Sequence, residues 1–337
     1  MDRPGPQMIP VRFLTEPERL VYEEVPGCVF DQPTFDRALD AWRDAGHSSE
    51  QHEQSLEQLL DAPDPEAAEA LRPALFIFHM SRCGSTLMAR SLAQSPGHFV
   101  ISEASVINDM LWHLCEGDLN NLRMTDQKQQ LFQKLIRALF RKQSEEAQHG
   151  IIKYSSWNVR LLPFIRQAFP DVPMVFLYRQ PEEVMVSCLK QPPSFLADRG
   201  SDFSQTLTGW SAQRIQSTSE IDYLAHCLRR MIQSALAEDL YLLDYADLTA
   251  THLPVLLSHF GIQASDAELD TMQALFATDS KRDCPFEDDR QAKQAAATPE
   301  IREAAQRHLH YAMHRLQSSP LNLRTLLHLR PLTTHAG

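Results

Sequence analysis

The chain has 337 residues, 43% of them hydrophobic and 23% charged, which is ordinary globular composition with room for one large domain or two modest ones. Its formal net charge of −12 excludes a broad nucleic-acid surface and confines any anion site to a local basic pocket. The six cysteines (Cys28, Cys83, Cys115, Cys188, Cys227 and Cys284) form no CxxC pair, so free thiols in a reducing compartment fit better than a disulfide scaffold or zinc cluster.

The N-terminal stretch MDRPGPQMIPVRF has no apolar signal core, and no run approaches the ~18 apolar residues of a membrane span. A soluble, cytoplasmic protein is expected. Residues 1–72 read as a small, mostly helical appendage. It holds a helix over Phe35–Asp44, a polar segment from Gly46 to Ala70, and a Pro-rich acidic boundary, DAPDPEAAEALRP. His47 and His52 lie on that polar segment, and their five-residue spacing favours solvated surface over metal binding.

From residue 73 to 262 short apolar runs alternate with helical stretches. Strands are predicted at Leu75–His79, Phe99–Ile101, Ile151–Lys153, Met174–Tyr178 and Leu240–Asp244. Helices are predicted at Ser85–Ser95, Ser105–Leu114, Asp126–Gln148, Asn158–Phe169 and Pro181–Lys190, with a long helical section at Ser204–Glu238. This alternation indicates an α/β fold of three layers, a parallel central sheet with helices on both faces. Residues 263–337 read as a helical C-terminal section, with one helix near Glu300–Gln317.

Ligands of open parallel sheets sit beyond the carboxyl ends of the strands, so the residues following each strand decide the chemistry. The first strand runs into SRCGSTL, a glycine turn followed by a helix start. Such a turn offers backbone N–H groups and a helix dipole to an anion, but the lysine of GxxxxGK[ST] is missing. A tight strand–helix turn with a surface Arg82 would look the same. After the second strand comes Glu103, either a carboxylate complementing the next helix dipole or a general base. Lys153 ends the third strand, where it is either a snorkelling lysine or a ligand cation. Arg179 ends the fourth, before a helix start marked by Pro181, Glu182 and Glu183. Three cations and one carboxylate thus reach one sheet edge of an acidic protein.

These motifs resemble the sulfotransferase family, which uses 3′-phosphoadenosine 5′-phosphosulfate (PAPS). SRCGSTL resembles its 5′-phosphosulfate loop, commonly P-[RK]-S-G-T-T-[LW]. VFLYRQPEEVMVSCL resembles its 3′-phosphate motif, an Arg, then Pro, then a Ser eight residues past the Arg. LYLLDYADLTATHLPVLLSHFGI is similar to its Y-E-D-L segment. The resemblance covers roughly Ala74 to Ile262. It implies a P-loop fold, in which Arg82, Cys83, Gly84, Ser85, Thr86 and Leu87 hold the 5′-phosphosulfate, Arg179 and Ser187 hold the 3′-phosphate, and Tyr245 lies near the adenine. DSKR, with Ser280, Lys281 and Arg282, resembles a basic loop of tyrosylprotein-type members.

Two departures bear on the base. Many cytosolic members carry Lys-Thr-His after the third strand, with His as base, whereas here Lys153 precedes Tyr154 and Ser155. Tyrosylprotein-type members use a Glu after the second strand, followed two residues later by Arg; Glu103 matches and Ser105 does not. Glu103 is the expected base, with His79 and His113 next in line. Lys153 and Arg82 are expected to stabilise charge on the transferring group.

A sulfuryl group carries a single negative charge, so cations and backbone donors suffice without a metal, unlike γ-phosphoryl transfer. No metal is expected. The acceptor is expected to be a small-molecule or peptide hydroxyl, bound by regions Asp109–Gln148 and Pro192–Trp210 and the helical tail. A homodimer is compatible with this reading. A P-loop kinase or NTPase, and a non-catalytic nucleotide-binding protein, are the alternatives. Adenosine 3′,5′-bisphosphate should raise the melting temperature more than ATP or AMP at matched concentration, since a charge-assisted contact to the 3′-phosphate contributes ~1.5–3 kcal/mol. Equal shifts from all three in a thermal-denaturation assay would remove the case for a 3′-phosphate site.

Overall fold

The computed structural model describes residues 7–63, 69–120, 123, 125–277 and 289–329. Strands β1 (Ile9–Thr15), β2 (Glu18–Glu23) and β3 (Gln51–Ser55) form an antiparallel sheet in that order, with helix α1 (Phe35–Asp44) between β2 and β3 and helix α2 (Leu56–Asp61) after it. The N-terminal segment is therefore built on a sheet, contrary to the mostly helical expectation. Its alternation was short: Ile9, Val11 and Phe13 are buried while Arg12 faces out. β3 carries almost no apolar residue, yet an outer strand needs only backbone pairing to β2. α1 starts where the side chain of Thr34 accepts from the Arg37 N–H, and it buries Phe35, Ala38, Leu39 and Trp42, an i, i+3, i+4, i+7 stripe.

The second sheet has five strands: β4 (Arg72–His79), β5 (His98–Ser102), β6 (His149–Lys153), β7 (Met174–Tyr178) and β8 (Tyr241–Asp244). All neighbours are parallel, in the order β5-β6-β4-β7-β8. Leu75 to Phe78, Ile151, Ile152 and Val175 to Leu177 are fully buried, as expected of strands covered on both faces. Helices α3 (Ser85–Leu92), α4 (Ser105–Leu114) and α5 (Asp126–Leu139) flank this sheet, with α6 (Leu162–Ala168) and α7 (Pro181–Lys190) further along the chain. The N-terminal sheet packs through β1 on α4 and α5. The architecture is the three-layer α/β arrangement expected from the sequence.

Register sets the site. Ser102 pairs with Lys153, Ile77 with Lys153, His79 with Leu177, and Tyr178 with Asp244. The carboxyl ends of all five strands are therefore nearly level.

The longest predicted helical stretches stop short or break. α5 stops at Leu139 because Phe140 turns into the core, where its ring lies on Gly150; a Cβ on that glycine would stand 2.8 Å from the ring. The Ser204–Glu238 stretch breaks into Asp202–Thr208, Ala212–Ser217 and Glu220–Ala235, since Gly209 takes a left-handed φ of 72° and the Ser211 and Ser219 side chains cap new helices. In the tail, Pro299–His308 and His310–Ser318 replace one long helix. The backbone of Leu321 and Leu323 then bonds Leu242, covering the outer edge of β8.

His226, on the Glu220–Ala235 helix, is 3% exposed and stacks on Trp210 with ring centroids 3.8 Å apart. Its Nδ1 accepts from Arg229 Nη2 at 2.9 Å, so Nε2 carries the proton and donates to the Thr208 carbonyl at 2.9 Å. Burial pushes its pKa down to about 4, against the Thr208 carbonyl and with Arg229 adding to the fall. The unfolded imidazole titrates near 6.5. The unfolded chain therefore takes up more protons between those values, and stability present above pH 6.5 is lost as pH falls toward 4. At about 1.4 kcal/mol per pKa unit the loss is about 3 kcal/mol. Urea denaturation at pH 7 and pH 4.5 should show a steeper acid loss for the native chain than for His226→Gln; equal losses would assign the acid sensitivity elsewhere.

Candidate active site

β4 ends at His79, and the chain turns through Met80–Gly84 into α3. Ser81 (φ 73°), Arg82 (φ 49°) and Gly84 (φ 88°) all adopt left-handed backbone. Two of these are not glycine, and strain of this kind, on the order of 1–3 kcal/mol per residue, gathers at functional turns. Gly84 is required twice over: by its φ, and because any Cβ would collide with the Tyr245 ring. Gly84 is also the N-cap of α3 and supplies no capping side chain, so the first N–H groups of the helix have no side-chain acceptor from it. Ser85 is buried, and Cys83 and Leu87 point into the core; burial pushes the Cys83 thiol up to about 12, and its Sγ lies 3.2 Å from the Leu177 carbonyl. Cys83 and Leu87 can serve an anion only through their backbone N–H groups.

Beside this loop lies an ion pair. The Lys153 ammonium, on a residue 0% exposed, bonds the Glu103 carboxylate directly and stands 3.5 Å from both Thr86 Oγ1 and the Pro33 carbonyl. Glu103 takes φ 47° just past β5, and its N–H bonds the Lys153 carbonyl at 2.7 Å. Burial alone would raise its pKa, but Lys153 and then His79 outweigh it and hold the carboxyl well below the usual range. Glu103 is ionised at neutral pH, and a weak base while Lys153 is on it.

The N-terminal sheet's α1 reaches into the same place. Ser105, which stands where tyrosylprotein-type members have Arg, gives its N–H (3.0 Å) and hydroxyl (2.5 Å) to Asp36. Asp36 thus caps α4 from another part of the chain. Ser155, at the position of the cytosolic histidine, accepts from Asn108 Nδ2 at 3.0 Å, and Tyr154 is buried with its ring stacked on Phe78. His113 lies 3.7 Å from Glu18 and packs on Phe13, in contact with the N-terminal sheet.

Arg82, not Arg179, approaches Ser187: its Nε stands 3.1 Å from Ser187 Oγ, and Nη2 bonds Gln191. Arg179 is buried, with Nε 2.5 Å from Glu183, Nη2 3.1 Å from Asp289, and its guanidinium 4.3 Å above the Tyr245 ring. The cations that share one sheet edge are therefore distributed over separate partners. Ser280 and Lys281 lie outside the described residues. Among the described residues, no group of three or more His, Cys, Asp or Glu is placed to hold a metal ion, the five cysteines are free thiols, and no helix is long and apolar enough to cross a membrane.

Residues 73–266, more than half of the chain and the part that carries the five-stranded sheet and this edge, match the model of the Sulfotransferase family. The chain belongs to the sulfotransferase family. Among solved structures, sulfotransferase STF1 from Mycobacterium tuberculosis H37Rv is 16% identical, with 75% of this chain and 82% of that chain covered and a TM-score of 0.39. Mouse sulfotransferase SULT7A1 complexed with PAP is 13% identical, with 76% and 88% covered and a TM-score of 0.38. The sulfotransferase domain from the curacin biosynthetic pathway is 14% identical, with 71% and 98% covered and a TM-score of 0.39. Likenesses of this size assign no residue. No curated protein matches the chain.

In this sulfotransferase the sequence pointed to Arg82, Glu103, Lys153 and the glycine turn. It gave no sign of Pro33, Asp36, Gln191 or Asp289, whose contacts span 69 to 120 residues and follow no local pattern. Glu183 was readable only as a helix-start carboxylate, although its i, i+4 spacing from Arg179 fits the pair it makes. Arg179→Ala should cost about 3–5 kcal/mol of stability, because it takes the cation from the 1%-exposed Glu183 carboxylate and leaves it the neutral Gln294 amide, whereas the half-buried Arg82→Ala should cost about 1 kcal/mol or less. Chemical denaturation of both variants measures this; equal small costs would free Arg179 for a purely ligand-binding part.

Proposed function

We propose that the protein transfers a sulfuryl group from PAPS to the hydroxyl of a small-molecule or peptide acceptor, in one in-line displacement without a metal. The observation that carries this reading is the position of the Lys153 ammonium, between the Glu103 carboxylate and the Thr86 hydroxyl at the head of α3. The loop fits an anionic donor: its helix start has no capping side chain, and Tyr245 excludes any side chain larger than glycine at residue 84.

The N–H groups of Arg82 to Leu87 would receive the 5′-phosphosulfate, and Ser187 with Arg82 beside it would receive a phosphate. Arg179 would join as a 3′-phosphate ligand by exchanging Asp289 for it, with Tyr245 close to the loop for the base. Ser280 and Lys281 would add to the 3′-phosphate contacts, in keeping with the tyrosylprotein-type loop that DSKR resembles. The acceptor oxygen forms a bond to sulfur as the sulfur–oxygen bond to the 5′-phosphate breaks. The departing phosphate keeps the electron pair, and the acceptor proton passes to Glu103. Negative charge at the loop competes with Glu103 for Lys153. A Glu103 carboxylate relieved of its cation is a stronger base, while the ammonium stabilises the charge that develops on the leaving oxygen.

Labelled PAPS incubated with phenols, sugars, lipids and peptides, and read by mass spectrometry, should reveal a sulfated product with EDTA present. With that acceptor, Glu103→Gln should lower kcat by about 10²–10⁴-fold and leave affinity for adenosine 3′,5′-bisphosphate nearly unchanged. Transfer from ATP that EDTA abolishes and Mg²⁺ restores would establish the kinase alternative instead. Tight bisphosphate binding without transfer to any acceptor would establish a binding protein.

A further inference from the structure

His79 is 4% exposed, yet both its ring nitrogens are engaged in the site. Nδ1 lies 3.0 Å from the Ser81 backbone nitrogen. Nε2 lies 3.0 Å from the Tyr154 carbonyl and 3.6 Å from Glu103 Oε1. A backbone N–H only donates and a carbonyl only accepts, so Nδ1 holds the lone pair and Nε2 the proton. Burial keeps the ring neutral by lowering its pKa, opposed by Glu103 and assisted by Lys153. The groups facing it are therefore Glu103 from the end of β5, Lys153 and Tyr154 from the end of β6, and Ser81 from its own loop.

Each contact meets a local need. Ser81 and Arg82 are consecutive left-handed residues, and the acceptor at Nδ1 satisfies the Ser81 N–H that this turn directs inward. On the other side, the Nε2 proton faces the Tyr154 carbonyl and the carboxylate that Lys153 holds, on the strand ends where the base and the cation sit.

We infer that His79 is a positioning residue that joins the phosphate-binding turn to the Glu103–Lys153 pair, one ring nitrogen setting the turn and the other, through the Tyr154 carbonyl, setting the end of β6 from which Lys153 holds the carboxylate. This rests on the sulfotransferase reading of the site above. His79 acts through Ser81 and Tyr154 and takes no proton from the acceptor, because its lone pair is already used by a backbone N–H.

Two amide substitutions separate the two nitrogens. His79→Asn keeps an acceptor near the Nδ1 position and loses the Nε2 proton, while His79→Gln keeps a donor near the Nε2 position and loses the Nδ1 acceptor. Calorimetry with adenosine 3′,5′-bisphosphate and turnover at saturating PAPS should then split. His79→Asn should bind the bisphosphate within about threefold of the native chain and lose tenfold or more in kcat. His79→Gln should lose tenfold or more in bisphosphate affinity with a smaller loss in kcat. Parallel losses in both variants, or none in either, would overturn the inference. Hydrogen exchange at the Ser81 amide needs no ligand and no activity: it should quicken at least tenfold in His79→Gln and stay near the native rate in His79→Asn. An unprotonated Nδ1 in nitrogen NMR of the native chain is the companion result, and a protonated Nδ1 would overturn the tautomer and the inference with it. A native chain that binds no bisphosphate but shows the exchange pattern would refute the PAPS reading and leave the positioning role standing.

Discussion

A fully buried ammonium organises this end of the molecule. Lys153 leaves β6 inside the protein, where an uncompensated positive charge costs several kcal/mol or more. Glu103 answers it from the neighbouring strand, and the pairing of Ser102 with Lys153 brings the carboxylate within reach once Glu103 adopts its left-handed turn. Thr86 supplies a hydroxyl from the head of α3 and Pro33 a carbonyl from the N-terminal segment. Sheet register, loop and N-terminal segment thus meet at a single charge.

The partners of the other cations follow the same logic. Each cation at this edge must satisfy its hydrogen-bonding groups within the protein. Arg179 does so with Glu183 and Asp289, and Arg82 with the neutral groups of Ser187 and Gln191. On the proposed function, an incoming polyanion would exchange existing contacts for new ones, and its net gain would be the difference between the two sets. Arg82, held among the described residues by neutral oxygens, would give up the least.

What the sequence disclosed was local. β7, α4 and α7 match their predicted bounds to the residue, because Pro181 with its acidic neighbours and the apolar run before it are signals confined to a few positions. The glycine turn and the residues at the strand ends were legible for the same reason. β3 was not, because an outer strand of polar residues is defined by its partner and not by its own pattern. The end of α5 at Leu139 depends on where Phe140 finds space, against Gly150. The pairing of Arg179 with Asp289, and the packing of Tyr245 on Gly84, join segments over a hundred residues apart. Side-chain partnership at that range is a property of the assembled fold.

The N-terminal sheet raises a question of modularity. The part of the chain that matches the family begins at residue 73, which invites the view that everything before it is an accessory that is free to be exchanged. Yet Asp36 supplies the two acceptors at the start of α4, two residues from Glu103, and Pro33 supplies one of the oxygens around the Lys153 ammonium. A chimera that grafts a foreign leader onto the family-matching part would inherit the strands and the loop but lose part of the charge environment that sets how basic Glu103 is. The contacts of Asp36 and Pro33 cross the boundary that the family match draws through this chain.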